Sequence, residues 1–141
     1  MKSQVLPIYG GSLTTGLVLV PSALIAIAIA LTILFAPDVF YSGYGIEVVG
    51  NATLANELKA PAGTLLIAGL LMFAGVFRRD LAVFSLATAT VVYLSYGLSR
   101  VISIVLDGVP HSGMISAAGI ELLVGAICLA TLLQTRRANA G

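Results

Sequence analysis

The sequence predicts an all-α protein: a four-helix transmembrane bundle, up-down-up-down, forming a single integral membrane domain. Three observations predict it. Of the 141 residues, 59% are hydrophobic and only 9% are charged, and the mean hydropathy is +1.08. A soluble domain carries roughly 25% charged residues to keep its surface wet, so part of this chain's surroundings must be lipid. The apolar residues also fall into four long runs, each near the roughly 17–25 residues that cross about 30 Å of hydrocarbon. Finally, the runs lack the two-residue alternation of a membrane β-barrel.

The first run covers about residues 13–36. Lys2 before it gives it the look of a secretory leader, but the run exceeds a leader's apolar core of about 7–15 residues, and Ala36-Pro37 is a poor cleavage site. The segment is therefore expected to remain as a helix, bent where Pro21 withdraws an N–H from the ladder. Residues 37–59 are expected to form the only long loop, with turns at Tyr41-Ser42-Gly43-Tyr44-Gly45 and a short extended piece over 46–49. The second helix is expected at about 60–77, with Pro61 in its first turn, where a missing N–H costs least. Asn56 and Glu57 then stand at its start, and a helix N-terminus favours a carboxylate there. Arg78-Arg79-Asp80 reads as a tight hairpin into the third helix, about 81–106. Asp107-Gly108-Val109-Pro110 reads as a turn, and the fourth helix follows at about 113–133.

Charge sets the expected orientation. Lys2, Arg78, Arg79, Arg136 and Arg137 fall at one end of this arrangement with Asp80, while Asp38, Glu47, Glu57 and Asp107 fall at the other with Lys59. The excess of Lys and Arg marks the cytoplasmic side, which predicts both termini inside and a multi-pass protein of the bacterial inner (cytoplasmic) membrane. Its constant partner is the lipid bilayer. The formal net charge of +1, without a basic stripe, argues against nucleic acid as a partner. A single Cys128 excludes an intrachain disulfide, and the single His111 has no second nitrogen or thiolate nearby to complete a metal site. No phosphate-binding glycine loop, His-Glu-x-x-His pattern, haem histidine pair or Gly-x-Ser-x-Gly elbow is present. No cofactor and no metal are expected.

Ionisable groups within the runs carry the most information, because each costs roughly 2.5–3.5 kcal/mol at mid-membrane. Arg100 lies six residues before Leu106, about 9 Å from that helix end at 1.5 Å per residue. Glu121 lies eight residues after Gly113, about 12 Å deep by the same rise. The two helices are antiparallel neighbours, so an Arg100–Glu121 pair is expected. Tyr93, Tyr96, Arg100, Ser103 and Asp107 recur at spacings of three and four and share one helix face. With Asn56, Glu57 and Glu121 they predict a polar cluster near the outer leaflet, comprising Asn56, Glu57, Tyr96, Arg100, Ser103, Asp107 and Glu121. The cluster has two readings. It is either a structural ion pair that fixes helix order, or a site that handles a ligand or protons.

The same residues resemble a family of small bacterial four-helix membrane proteins known only as a domain of unknown function, related in shape to DoxX-like proteins. The resemblance is carried by Phe35-Ala36-Pro37-Asp38, Asn56-Glu57-Leu58-Lys59-Ala60 with Gly63, Gly97-Leu98-Ser99-Arg100 with Ser103, Asp107-Gly108-Val109-Pro110, and Glu121. It runs from about Leu13 to Leu133 and departs from the family pattern at Lys59, where Arg is usual. It implies the four-helix fold and the polar residues, and it supplies no reaction.

Three functions compete at this level. The sequence ranks first a non-enzymatic accessory subunit or partner-binding bundle, working with a membrane-protein partner or as a homo-oligomer. Second is a site for a small lipophilic molecule, such as a quinone, a sterol-like or a lipid-derived molecule. In an enzymatic version of that site, Glu57 or Glu121 moves protons and Arg100 stabilises developing negative charge. A proton path ranks last, because the cytoplasmic halves of the runs are almost wholly apolar.

Overall fold

Pro21 and Pro61 apart, nothing in the apolar runs opposes continuous helix, and helix satisfies every backbone polar group without water. The computed structural model describes residues 13–140, with side chains through residue 138. The elements are α1 (Leu13–Phe35), α2 (Pro37–Ser42), α3 (Ala52–Phe77), α4 (Arg79–Asp107) and α5 (Ser112–Ala140). The helices α1, α3, α4 and α5 are long and apolar enough to cross a membrane. No strand occurs among the described residues. Lys2, one of the charges from which the sequence predicts the orientation, lies outside them.

The outer surface is apolar: Leu24, Val91 and Leu123 are all exposed near the middle of helices. The interior is built of small residues, Ala23, Ala26, Ala68 and Ala89, around Leu19, Met72 and Leu86. This inverts the soluble pattern. Between lipid-bathed helices there is no hydrophobic driving force, so close backbone approach and interhelical hydrogen bonds hold them.

The tightest contacts are between α1 and α3 and between α4 and α5; α3 packs on α4 to join the two pairs, and α1 touches α5 only lightly. Where α4 crosses α5, two glycines face each other's helix. A β-carbon on Gly97 would lie 2.8 Å from Leu122 Cγ and 3.1 Å from its backbone nitrogen, and one on Gly125 would lie 3.0 Å from the Leu94 nitrogen. Polar ties join the pairs. The Ser85 hydroxyl donates to the Leu71 carbonyl at 2.7 Å, and the Tyr93 hydroxyl reaches diagonally across to the Ser22 carbonyl at 2.6 Å.

The expected loop over 37–59 is mostly helix. Pro37 opens α2 with Asp38 in the first turn, a helix-start signature of fixed φ and favourable charge. Residues 46–49 form no strand, and positive φ at Gly45 (75°) and Gly50 (78°) turns the short link to α3. That helix begins at Ala52 rather than at about residue 60. Asn51 caps it, its Oδ1 accepting from the Leu54 N–H at 2.9 Å. Pro61 therefore sits inside α3 and not in its first turn. The helix expected to end near residue 133 continues to Ala140, past Arg136 and Arg137. Between α3 and α4 only Arg78 is non-helical. Its guanidinium grips Asp80 at the exposed turn, Nε to Oδ1 at 3.1 Å, and this hydrogen bond raises its pKa above the ordinary arginine value.

Candidate functional site

The functional candidate lies at the end of the bundle nearest α2. There, a cavity of about 430 Å³ lies between the two helix pairs. Ile25, Ile29 and Ile33 of α1 line it with Pro61, Ala62 and Leu65 of α3. The facing side is α4 and α5: Val92, Tyr93, Tyr96 and Arg100, then Met114, Ala117, Ile120 and Glu121. Phe40 and Tyr41 of α2, with Tyr44 just after it, complete the lining. Phe40 packs its ring on both tyrosines, and Tyr44 stacks edge-on to His111 at 5.9 Å.

The polar part of this lining is built on two helices. Arg100 Nε donates to Glu121 Oε2 at 2.9 Å, with the side chains 35% and 16% exposed. Among the described residues, neither terminal nitrogen of Arg100 has a partner. The Tyr41 and Tyr96 hydroxyls likewise make no hydrogen bond there, whereas the Tyr93 hydroxyl is committed to Ser22. Burial pushes the Tyr41 hydroxyl above its ordinary pKa; neighbouring Tyr96 adds to the effect and the Arg100 guanidinium opposes it. Tyr41 is thus within electrostatic reach of the α4 polar face.

Of the seven residues expected to cluster, the structure brings Tyr96, Arg100 and Glu121 to one place and leaves the other four outside. Asn56 and Glu57 are exposed in the second turn of α3, because the helix starts eight residues earlier than expected. Ser103 and Asp107 are exposed on the last turns of α4, where the Ser103 hydroxyl donates to Asp107 at 2.9 Å. None of these four lines the cavity. They stand near helix ends, where exposure to water or headgroups is inexpensive and no burial is enforced. A single buried seven-residue cluster is therefore not what the fold builds.

The sequence places Tyr41 and Tyr44 in turns of a loop and gives them no part in the lining. Pro37-Asp38 ahead of an apolar stretch was the available signal for a helix there. No group of three or more His, Cys, Asp or Glu among the described residues is placed to hold a metal. The lining sets a carboxylate, a guanidinium and phenol hydroxyls among apolar walls, and its chemistry suits recognition of oxygen atoms in an apolar setting.

Four apolar spanning helices around a partly enclosed, mainly apolar cavity define a small multi-pass membrane protein. Within that class the chain belongs to the family described as Domain of unknown function (DUF4345), which matches residues 9–132. No functionally curated protein matches the chain, and no solved structure does.

Proposed function

We propose that this protein binds a small lipophilic molecule in the cavity between its helix pairs, with the molecule's polar head against Arg100, Glu121, Tyr41 and Tyr96. One observation carries the reading. A cavity of about 430 Å³, within the roughly 300–1,000 Å³ of small-molecule sites, has unspent hydrogen-bond donors at the only charged point that the described residues give it. The ligand enters from the bilayer between α1 and α5, the seam with least contact. Ile25 on α1 and Ile120 on α5 both line the cavity and are 39% and 55% exposed.

The charge distribution supports an orientation with Arg78, Arg79, Arg136 and Arg137 in the cytoplasm, which puts the cavity in the outer half of a bacterial inner membrane. Single cysteines at Ser42 and Ala138, in a Cys128→Ser background, test this: an impermeant maleimide should label only the first in intact cells.

Native mass spectrometry of protein released from its own membranes tests the binding. Wild type should retain a small-molecule adduct that Ala62→Phe, which fills the cavity, does not. Equal adducts in both would remove the cavity from the account.

The partner-binding reading, which the sequence ranks first, draws support from two exposed pairs of small residues on α5, Ser116 with Gly119 and Ala126 with Ala130, on either side of Leu123. Small residues at such spacing let another helix approach closely. It stands second, because it leaves the cavity and its donors without a role. Recovery of one defined partner on cross-linking from those pairs, with an Ala62→Phe chain fully functional in cells, would reverse the order.

A further inference from the structure

The geometry points to a neutral lipophile bearing a carbonyl oxygen, of the quinone or ester type, as the occupant of the cavity, in preference to one ending in a free carboxylate or phosphate. This rests on the ligand site proposed above and specifies its chemistry.

The first ground is charge. Among the described residues that line the cavity, only Arg100 and Glu121 carry a formal charge, and they are joined at 2.9 Å. Their charges sum to zero. The other ionisable groups at this end, Asp38, Glu47, Glu57, Lys59, Asp107 and His111, are absent from the lining. An anionic head would meet a dipole rather than a cation: attraction to the guanidinium is offset by repulsion from the carboxylate held against it. In a low-dielectric setting an ion that leaves water without a full counter-charge is strongly penalised. An ammonium head meets the mirror-image problem.

The second ground is the donor inventory. Arginine only donates, and here one of its three nitrogens is spent on Glu121, which leaves the two terminal ones. The Tyr41 and Tyr96 hydroxyls add two more donors. Glu121 Oε1 is the one carboxylate oxygen left to accept; the unpartnered N–H and O–H groups outnumber it, and the excess suits an acceptor on the ligand. A carbonyl oxygen offers two lone pairs and no net charge, so it satisfies these groups without disturbing the ion pair. Elsewhere the walls are Ile25, Ile29, Leu65 and Val92, which suit a ring or an acyl body.

The test uses two probes with one body and different heads, dodecanoic acid and methyl dodecanoate, with the full chain in lipid nanodiscs at pH 8, where the acid is ionised. Competition against a radiolabelled ester measures both affinities. Wild type should prefer the ester by about tenfold or more, the size of a difference set by one well-placed polar group. Glu121→Gln keeps an oxygen for Arg100 Nε while removing the opposing charge, and should turn the preference toward the acid. Equal or tighter binding of the acid by wild type would overturn the inference and leave the cavity site standing; this comparison needs no variant to fold. Failure of wild type to bind either probe would take away the site itself and this specificity with it.

Discussion

Arg100 and Glu121 find each other because a lone charge at that depth has no acceptable surroundings other than an opposite charge. The interaction is only partly shielded, since the arginine keeps about a third of its side chain exposed, so its loss should be felt without being ruinous. Arg100→Leu should lower thermal stability in mild detergent by about 1–3 kcal/mol, the cost of leaving one largely buried polar group without its partner. Arg78→Leu, which removes a fully exposed pair of the kind that contributes little, should leave the melting point nearly unchanged. Equal losses in the two variants would mean that the Arg100 pair has no special standing. Tyr41 provides a pH readout from outside the spanning helices. Its folded-state pKa is raised, so the neutral phenol is favoured and stability is retained below about pH 10, the unfolded value. That stability should fall as pH rises through the higher folded value. Alkaline melting curves of wild type and Tyr41→Phe should accordingly diverge above pH 10, the variant being the less sensitive. The depth argument made the Arg100–Glu121 pair legible in the sequence. The same argument is silent on Asn56, Glu57, Ser103 and Asp107, because polar residues close to a helix end are under no compulsion to be buried.

At the scale of the element, hydropathy located the membrane better than it located the helices. The second apolar run starts near Ala60, but α3 starts at Ala52, since helix continues through polar residues until cap chemistry ends it. Asn51, accepting from Leu54, was the readable cap. Likewise α5 carries its helix beyond the apolar stretch through Arg136 and Arg137. Helix contacts were less legible still: a glycine such as Gly97 within a membrane helix permits close approach, but the sequence does not say to what. The structure supplies Leu122, and with it a contrast. Gly97→Ala would press a methyl into the Leu122 side chain and backbone nitrogen, and should destabilise by about 1–3 kcal/mol as an overpacked contact. Gly63→Ala has nothing within 4 Å of its new methyl and lies within α3, so it should be neutral or stabilise by up to about 1 kcal/mol through helix propensity. Detergent melts of the pair decide this; a harmless Gly97→Ala would refute the close α4–α5 crossing.

For the whole molecule, four spans were forced by composition, because so few charged residues leave no other way to cover the surface. The cavity was not readable, since a void depends on how side chains from several elements fail to meet, and α2 with its tyrosines had been taken for loop. The arrangement makes a prediction about access. Cysteines in place of Ile25 and Ile120, in a Cys128→Ala background, should be bridgeable by a cleavable bifunctional reagent across the α1–α5 seam. With the bridge in place, exchange of a bound lipophile should slow by about tenfold or more, and cleavage of the reagent should restore it. Unchanged exchange would move the entrance to another seam, such as the one near Pro61.

The division into an α1/α3 pair and an α4/α5 pair has a practical consequence. A molecule lodged between them touches both, so it acts as mortar as well as cargo. Anything that prefers the assembled form raises its melting temperature by mass action, by about 2.7 kcal/mol at a hundred times its dissociation constant. Heat can therefore interrogate a library of lipophiles against this bundle without any reaction being known, and the compounds that delay melting would name the chemistry directly.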